Sequence, residues 1–372
     1  MQKGLAFFPW VYSDELIEIG PLRLIPWRRN EVPADLPSAK LADIDAVLNA
    51  YSDRPDHAIP RATLLEYGDW KLGDNPTEFV SKLFQIRQLI GFSALASRRL
   101  FCRGQGYCGY DSYILIVQKY QQEEPGTFAF TTRRRDGPTN QLWSSDEYAF
   151  HRPHHVNNNS RIGVEHRLLQ ALLLAAQLPD YILHAINEFN LANTDSPDVP
   201  EHIEIVMMKS AFERLFQISE RRDDFCRKLK AVVGSPTSKS RLDTENASLW
   251  REKRPGSERL IECWAKEFCD IRGAAAHGSK KGGVSRFVWT EFYHLAFSAI
   301  LFPLLVKREL SELGLLKLND YDLARLNNIE LYLATDPDPL PIEGESNRHS
   351  HPWQAVEAES VLAVHASRMH DL

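Results

Sequence analysis

The chain has 372 residues, of which 43% are hydrophobic and 25% are charged, with a formal net charge of -6 at neutral pH. This mix excludes a disordered chain and is sufficient for two domains of ordinary size. The longest apolar run, at residues 168–178, is interrupted by Gln170 and Gln177. It is about half as long as the roughly 18 to 20 residues that cross a bilayer, which argues against a membrane protein. The N-terminus lacks a signal-peptide pattern, so we expect a cytoplasmic protein.

The first residues predict two short strands followed by a loop. Residues 16–19 and 22–25 are rich in Leu and Ile and are separated by the turn residues Gly20 and Pro21. This pattern predicts a hairpin. Pro26 then marks the expected beginning of a loop.

A long helix and a second hairpin are predicted next. Apolar residues recur at three- and four-residue steps over residues 76–100, which predicts a helix. Residues 112–120 and 127–132 are rich in β-branched and aromatic side chains and predict two paired strands. Together these elements predict an α+β domain over residues 1–160.

The first half carries no strong metal or cofactor motif. The five cysteines include no Cys-x-x-Cys pair, and their odd number argues against a closed disulfide framework. His151, His154 and His155 form a dense group, but no Cys or carboxylate stands beside them at a ligand spacing. Asn157 to Ser160 indicate a loop instead. We therefore predict neither a metal nor a cofactor.

The second half predicts an antiparallel helical bundle. Apolar residues at helical spacing indicate four helices, over residues 168–189, 205–229, 260–271 and 287–310. Their short connections favour an antiparallel arrangement over residues 161–334. A linker rich in Pro, Asp, Glu and Ser is predicted at residues 335–351. Residues 352–372 then predict an amphipathic helix that docks on its own chain or on a partner.

The strongest chemical signal is the segment Ile-Arg-Gly-Ala-Ala-Ala-His-Gly, at residues 271–278. It closes the third bundle helix and separates Arg272 from His277 by four residues. Between residues 221 and 286, sixteen Lys and Arg stand against nine Asp and Glu, a net charge of +7. A polyanion is expected to bind such a segment. A solvated helical surface is the alternative interpretation.

The R-x4-H spacing in this helical order resembles the signature of HEPN domains, a family of helical bundles that contains many metal-independent ribonucleases. Residues 165–312 resemble its ApeA-like abortive-infection branch in particular. There, an Ala-Ile-Asn-Glu-Phe-Asn phrase, here at residues 185–190, and a Ser-Ala-x-Glu-x-Leu stretch, here at residues 210–215, precede the Arg/His phrase. Many active relatives have Asn or Asp after the Arg, where this sequence has Gly273.

The resemblance implies a metal-independent endoribonuclease of prokaryotic antiviral defence, abortive-infection or toxin type, with RNA as its substrate. Such chemistry needs a group that moves protons near neutral pH and a cation that holds phosphate. A His with a pKa of about 6.5 and an Arg guanidinium supply these functions. The predicted catalytic residues are therefore His277 and Arg272, with Glu213 orienting one of them. The predicted RNA-backbone contacts are Lys280, Lys281 and Arg286.

Alternatives exist for each of these residues. Arg272 and His277 also suit an ordinary helix C-terminus, where the helix dipole favours cations. Glu213 also suits an ion pair with Lys209 or Arg214, and the lysines suit a solvated loop.

The spacing of the motif raises a question of geometry. Five positions along an α-helix turn through about 500°, which leaves two side chains roughly 140° apart. Either the helix ends near the alanines, or the site forms between two subunits. The resemblance implies the second arrangement, and we predict a homodimer.

The α+β domain is predicted to act as a sensor, with a phage-derived or other protein as its trigger, because an unregulated ribonuclease would harm the cell. An alternative is a non-catalytic HEPN module that binds RNA or a protein as a dimerisation scaffold, which Gly273 favours. A third interpretation is a toxin held inactive in a complex with an antitoxin.

Overall fold

The computed structural model describes residues 2–31, 44–55, 57–68, 76–97, 109–121, 127–132, 139–144, 149–157, 160–174, 178–219, 221–233, 252–254, 256–277, 288–334 and 352–370. Contacts divide the chain into two compact units. The first comprises Met1–Ser97, Gly106–Leu174 and Thr194–Pro197, and the second comprises Arg98–Gln105, Ala175–Asn193 and Asp198–Leu372. A β-rich part thus precedes a helical part, as predicted.

The first unit is built on a seven-stranded antiparallel sheet in the order β2-β3-β6-β1-β7-β8-β9. Three further short strands form a small sheet in the order β10-β4-β5. The strands are β1 Gln2–Phe8, β2 Ile17–Ile19, β3 Leu22–Arg28, β4 Tyr51–Arg54, β5 His57–Ala58, β6 Arg61–Tyr67, β7 Ile116–Gln121, β8 Thr127–Thr132, β9 Thr139–Ser144 and β10 Phe150–His151. Both predicted hairpins are confirmed, as β2–β3 and β7–β8.

The centre of the large sheet carries no alternating sequence pattern. β1 lies between β6 and β7, and its residues Ala6, Phe7 and Phe8 are all buried. Residues 62–65 of β6 are buried as well. Strands covered on both faces appear in a sequence as continuous apolar runs. Sequence periodicity therefore does not identify β1 or β6 as strands.

The predicted loop at Pro26 is wrong, because Pro26 lies inside β3 opposite Thr63 of β6. Proline donates no backbone hydrogen bond and is tolerated in a strand where one edge is open. The short strand β2 pairs with β3 only from Leu22 to Leu24. Beyond Leu24 no described strand covers that edge, which is why β3 can continue through the proline to Arg28.

Besides a short helical stretch at residues 44–48, the first unit contains two longer helices, α1 Pro76–Ser97 and α2 His166–Leu174. They pack against each other. The first unit therefore continues past residue 160, where the sequence places the domain boundary. A 3-10 turn at Tyr110–Ser112 also packs on α1. A Cβ atom added to Gly91 would lie 2.6 Å from the Tyr110 ring, so this close approach requires glycine.

The second unit is helical. Its helices are α3 Asp180–Leu191, α4 Glu201–Phe216, α5 Arg222–Val232, α6 Leu260–His277, α7 Glu291–Glu312, α8 Asp320–Asn327, α9 Ile329–Ala334 and α10 Pro352–His370. Aromatic rings from several of them meet in its core. Phe212 contacts Trp264, Phe268 and Phe302, and Phe302 stacks on Phe189 at 4.7 Å between ring centroids.

In two places the sequence predicts one bundle helix where the structure has two. The prediction of one helix over residues 168–189 is wrong, because α3 begins only after Pro179, which disfavours a helical residue before it. The prediction of one helix over residues 205–229 is also wrong. Gln217 ends α4 in the left-handed conformation, at φ 52°. Phe225 of α5 still packs on Phe212, so apolar spacing continues across the break.

The C-terminal helix α10 packs on its own chain. The Trp353 indole N–H donates to the carbonyl oxygen of Tyr332, at 3.0 Å. Glu357 accepts a hydrogen bond from the Tyr332 hydroxyl, at 2.7 Å, and pairs with Arg325, at 3.0 Å. None of the helices in the described ranges is long and apolar enough to cross a membrane.

Candidate functional site

The helix α6 carries both residues of the Arg/His motif. It runs without a break from Leu260 to His277, so both residues of the motif belong to it. Positions 272 and 277 of one continuous helix lie roughly 140° apart around its axis. Arg272 is partly buried. The side chain of His277 lies outside the described part, as do Lys280, Lys281 and Arg286.

Glu213 forms an ion pair on its own helix. Its Oε1 lies 2.5 Å from Nζ of Lys209, one turn earlier on α4, and only 1% of the Lys209 side chain is exposed. The Lys209 ammonium also lies 4.2 Å from the centre of the Phe225 ring. The ion pair that the sequence offered as an alternative is therefore present. Burial raises the pKa of Cys269, one turn before Arg272 on α6, to about 12; the charge of Lys209 lowers this pKa and that of Glu213 raises it.

Many cations of the basic segment are paired within the chain. Arg222 and Arg254 contact Asp270, at 3.4 and 2.6 Å. Lys230 contacts Glu258 at 2.6 Å, and Arg259 contacts Glu330 at 3.0 Å. These cations are partly neutralised by carboxylates.

The structure adds a buried polar group that the sequence did not predict, centred on Glu267 of α6. Its carboxylate accepts hydrogen bonds from the backbone N–H groups of Val288 and Trp289, at 2.8 to 2.9 Å. It also lies 3.2 Å from Nε2 of His294, on α7, and 3.5 Å from Nη2 of Arg254. Glu267 and His294 are both fully buried. We call Glu267, His294 and Arg254 the Glu267 network.

The Glu267 network fixes the point at which the chain returns to the bundle. Val288 and Trp289 directly precede α7, whose N-cap Thr290 accepts a hydrogen bond from the N–H of Tyr293. The segment that contains Lys280, Lys281 and Arg286 therefore begins at the end of α6 and ends at residues held by Glu267.

The charges of the network follow from its burial. Burial favours a raised pKa for Glu267, but the hydrogen bonds from His294 and from Trp289 and Val288 outweigh it, so the pKa lies below its usual value. Burial lowers the pKa of His294, against the opposing effect of Glu267. At neutral pH we therefore assign a carboxylate and a neutral imidazole, with the Nε2 proton donated to Glu267. The Nδ1 atom of His294 has no hydrogen-bond partner among the described residues.

A pH dependence of stability follows from His294. Its lowered pKa means that the unfolded chain binds more protons below about pH 6.5, so acid favours unfolding by at most about 1.4 kcal/mol per pH unit. Arg254 lowers the pKa of this imidazole further, and Glu291 raises it.

Replacing His294 with glutamine tests this assignment, because a glutamine amide can replace the Nε2 donor but does not titrate. We expect His294→Gln to reduce the loss of unfolding free energy between pH 7 and about 5, measured by urea unfolding. His202→Gln, at an exposed position on α4, is the control and should keep the wild-type slope. Equal slopes in all three proteins would contradict the assignment.

Gly273 lies in the interior of α6, directly after Arg272. Apart from its chain neighbours and the nearby backbone of α6, no described atom lies within 4 Å of the position that a Cβ atom would take there. Glycine in a helix interior costs about 0.5 to 1 kcal/mol relative to alanine. We expect Gly273→Ala to raise the free energy of unfolding by about this amount in urea unfolding. A loss of stability would instead show that Gly273 packs against another surface.

The sequence carries a signal for Glu267 that is independent of the Arg/His motif. Glu267 lies three residues after Trp264 and four before Ile271, on the apolar face of α6. His294 stands three residues before Phe297 on α7. A charged or polar side chain at such a position needs a buried partner. Arg254, which lies outside any long helix, carries no comparable signal.

One histidine of the group in the first unit, His155, contacts a carboxylate. Nε2 of His155 lies 2.8 Å from Oδ2 of Asp111, which also accepts from the backbone N–H of Asp195, at 3.1 Å. Burial raises the pKa of Asp111, and the nearby Asp195 raises it further. Within the described ranges, no group of three or more His, Cys, Asp or Glu is placed to hold a metal ion. These contacts join Thr194–Pro197 to the first unit.

No family model, curated protein or solved structure matches this chain. A function can therefore be assigned only from the residues themselves and from the resemblance of the motif.

Proposed function

We propose that the chain is a metal-independent endoribonuclease of HEPN type, acting in prokaryotic antiviral defence or as a toxin. The observation that carries the proposal is the Arg/His pair at the end of α6, in the helical second unit. On a helix that continues to His277, positions 272 and 277 face in different directions, roughly 140° apart around the axis. A second copy of the same helix end can supply the missing partner, so the proposal includes a homodimer with its site between the subunits.

In the proposed reaction His277 transfers the protons and Arg272 stabilises the charge on the phosphate. The neutral imidazole of His277 takes the proton of the ribose 2′-OH, and the 2′ oxygen then attacks phosphorus. The Arg272 guanidinium of the other subunit donates hydrogen bonds to the non-bridging oxygens, where negative charge increases. The imidazolium returns a proton to the 5′ oxygen as its bond to phosphorus breaks. The products are a 2′,3′-cyclic phosphate and a 5′-OH.

The other predicted site residues bind the RNA backbone or hold neighbouring parts of the chain in place. Lys280, Lys281 and Arg286 contact the RNA backbone on either side of the scissile phosphate. Glu267 holds the end of the segment that carries them. Glu213 acts at a distance through its pair with Lys209, which packs on Phe225 and holds α4 against α5 and α6. It is therefore a positioning residue.

The test is RNA cleavage by the purified protein with EDTA present, on total RNA and on transfer RNA. The proposal predicts cleavage that survives EDTA and leaves 2′,3′-cyclic phosphate and 5′-OH ends. Parallel reactions also contain lysate from phage-infected cells, which supplies a phage-derived protein in case the enzyme requires one as its trigger. Cleavage that EDTA abolishes, or that leaves 3′-OH and 5′-phosphate ends, would contradict the proposal.

A non-catalytic HEPN module is the second candidate, and Gly273 favours it. The glycine provides no hydrogen-bonding side chain beside Arg272, where the resemblance associates activity with Asn or Asp. In that case the second unit is a dimerisation scaffold that binds RNA or a protein. It predicts RNA binding that depends on salt concentration but no cleavage under any of the conditions above.

A further inference from the structure

The first unit contains a pocket of about 460 Å³ beside the ends of β3, β4 and β6. This volume lies within the range of about 300 to 1,000 Å³ that is usual for small-molecule sites. Every residue that lines it belongs to the first unit. The pocket is separate from the Arg/His motif, so ligand binding there does not depend on the ribonuclease proposal.

The pocket is rich in arginine. Arg28, Arg29, Arg61 and Arg152 line it, against the two carboxylates of Glu31 and Asp53. Four positive charges and two negative charges leave a formal charge of +2. Asp53 accepts from Nε of Arg152, at 2.6 Å, whereas Glu31 lies 3.8 Å from Arg28, which is half exposed. The excess charge favours an anionic ligand.

Two of these arginines stand directly opposite each other. Arg28 and Arg61 form a register pair in the antiparallel ladder of β3 and β6. Like charges at opposite positions of two strands destabilise a sheet. Local violations of such rules are expected at functional sites. An anion bound between the two guanidinium groups would convert this repulsion into attraction.

The arginines are positioned before any ligand binds. The Arg61 guanidinium lies 3.4 Å from the centre of the Tyr12 ring, which is itself buried. Arg29 donates from Nε to the carbonyl oxygen of Ile59, at 3.1 Å, and from Nη1 to Asn49, at 2.5 Å. Both acceptors are neutral, so they orient the Arg29 fork without cancelling its charge. Pre-organised cations reduce the entropy lost on binding.

The remaining wall is apolar and aromatic. Trp10 and Tyr12 line the pocket together with Ile59, and all three are buried. The Arg61 guanidinium already covers one face of the Tyr12 ring, so Trp10 is the aromatic side chain here that can contact a flat ring. The pocket therefore combines a ring-binding wall with a cationic one.

We infer that this pocket binds a small phosphorylated molecule that carries a flat ring, such as a mononucleotide. A phosphate monoester has a charge of about -1.5 to -2 at neutral pH, which balances the formal +2 of the lining. A monocarboxylate would balance only half of it. Ligand binding at this site gives the first unit a means of sensing a small molecule.

The inference is tested by titration calorimetry and thermal unfolding with three probes: adenosine 5′-monophosphate, adenosine and inorganic phosphate. At about ten times its dissociation constant, the nucleotide is expected to raise the melting temperature by about 3 to 6 °C. Phosphate alone should give a smaller rise, and adenosine none.

The variant Arg28→Gln distinguishes weaker ligand binding from a loss of stability, because the two are expected to change in opposite directions. Without ligand it removes the repulsion with Arg61 and should raise the melting temperature by up to about 4 °C. It should also weaken nucleotide binding about tenfold or more. Arg61→Gln should weaken binding similarly, and Arg54→Gln, on β4 and exposed, should leave it unchanged.

Four results would overturn the inference, the last of them in its ring-binding part. The first is no stabilisation by the nucleotide or by phosphate at millimolar concentration. The second is equal nucleotide binding by wild type and Arg28→Gln, which would place the ligand elsewhere. The third is equal stabilisation by adenosine and its monophosphate, which would exclude recognition of the phosphate. A nucleotide effect no larger than that of phosphate would overturn ring binding.

Discussion

Replacing His277 with alanine is expected to lower metal-independent RNA cleavage by about 10² to 10⁴-fold, the usual contribution of a general base and acid. Arg272→Ala should lower it by about 10² to 10³-fold, because the pentavalent phosphorus then loses its cationic donor. Arg272→Lys keeps the charge but loses the bidentate fork and should lie between wild type and Arg272→Ala. Initial rates on one transfer RNA, with EDTA present, measure all three effects.

Surface variants of the same residue types provide the controls. His202 is exposed on α4, and Arg227 is 75% exposed on α5 with Asp224 as its partner. His202→Ala and Arg227→Ala should cleave at the wild-type rate. If His277→Ala and Arg272→Ala also cleave at that rate while remaining dimeric, the two residues are an ordinary helix terminus and the catalytic assignment is wrong.

Glu267→Ala is expected to lower the free energy of unfolding of the second unit by about 3 to 5 kcal/mol. The carboxylate is fully buried, and its removal leaves the N–H groups of Val288 and Trp289 and the Nε2 proton of His294 without their acceptor. Each buried group without a partner costs about 1 to 3 kcal/mol. Urea unfolding at pH 7, followed by circular dichroism, measures the change.

Two further variants show whether the loss of unfolding free energy comes from the Glu267 network or from the removal of any carboxylate. Glu267→Gln retains a carbonyl acceptor and should cost less than alanine does. Glu312→Ala removes a 58% exposed carboxylate that pairs with Arg308 and should change the unfolding free energy by no more than about 0.5 kcal/mol. A loss below about 1 kcal/mol for Glu267→Ala would mean that water or another acceptor takes the place of the carboxylate.

Sequence patterns predicted those parts of the fold that depend on local periodicity. The hairpins β2–β3 and β7–β8 and the helix α1 have strong apolar spacing, and all three are present. The pattern was less informative where two faces are buried, as in β1 and β6. It also failed where packing continues across a break, as at Gln217, because spacing records burial rather than chain continuity.

The candidate site likewise has a part that the local sequence shows and a part that only the tertiary structure shows. The Arg/His motif and the basic residues after it are local, so the sequence shows them directly. The Glu267 network joins residues from α6, α7 and the segment before α6, and only the tertiary structure brings Glu267, His294 and Arg254 together. The paired arginines of the pocket likewise depend on the register of β3 with β6, which the sequence does not specify.

The most direct test of a site shared between subunits is complementation between the two inactive variants. Arg272→Ala and His277→Ala chains with different tags are co-expressed, and the heterodimer is isolated. If Arg272 of one subunit acts with His277 of the other, one of the two sites is intact, and the heterodimer should cleave at about half the wild-type rate. Each variant homodimer should stay inactive. A heterodimer as inactive as its parents would contradict the shared site.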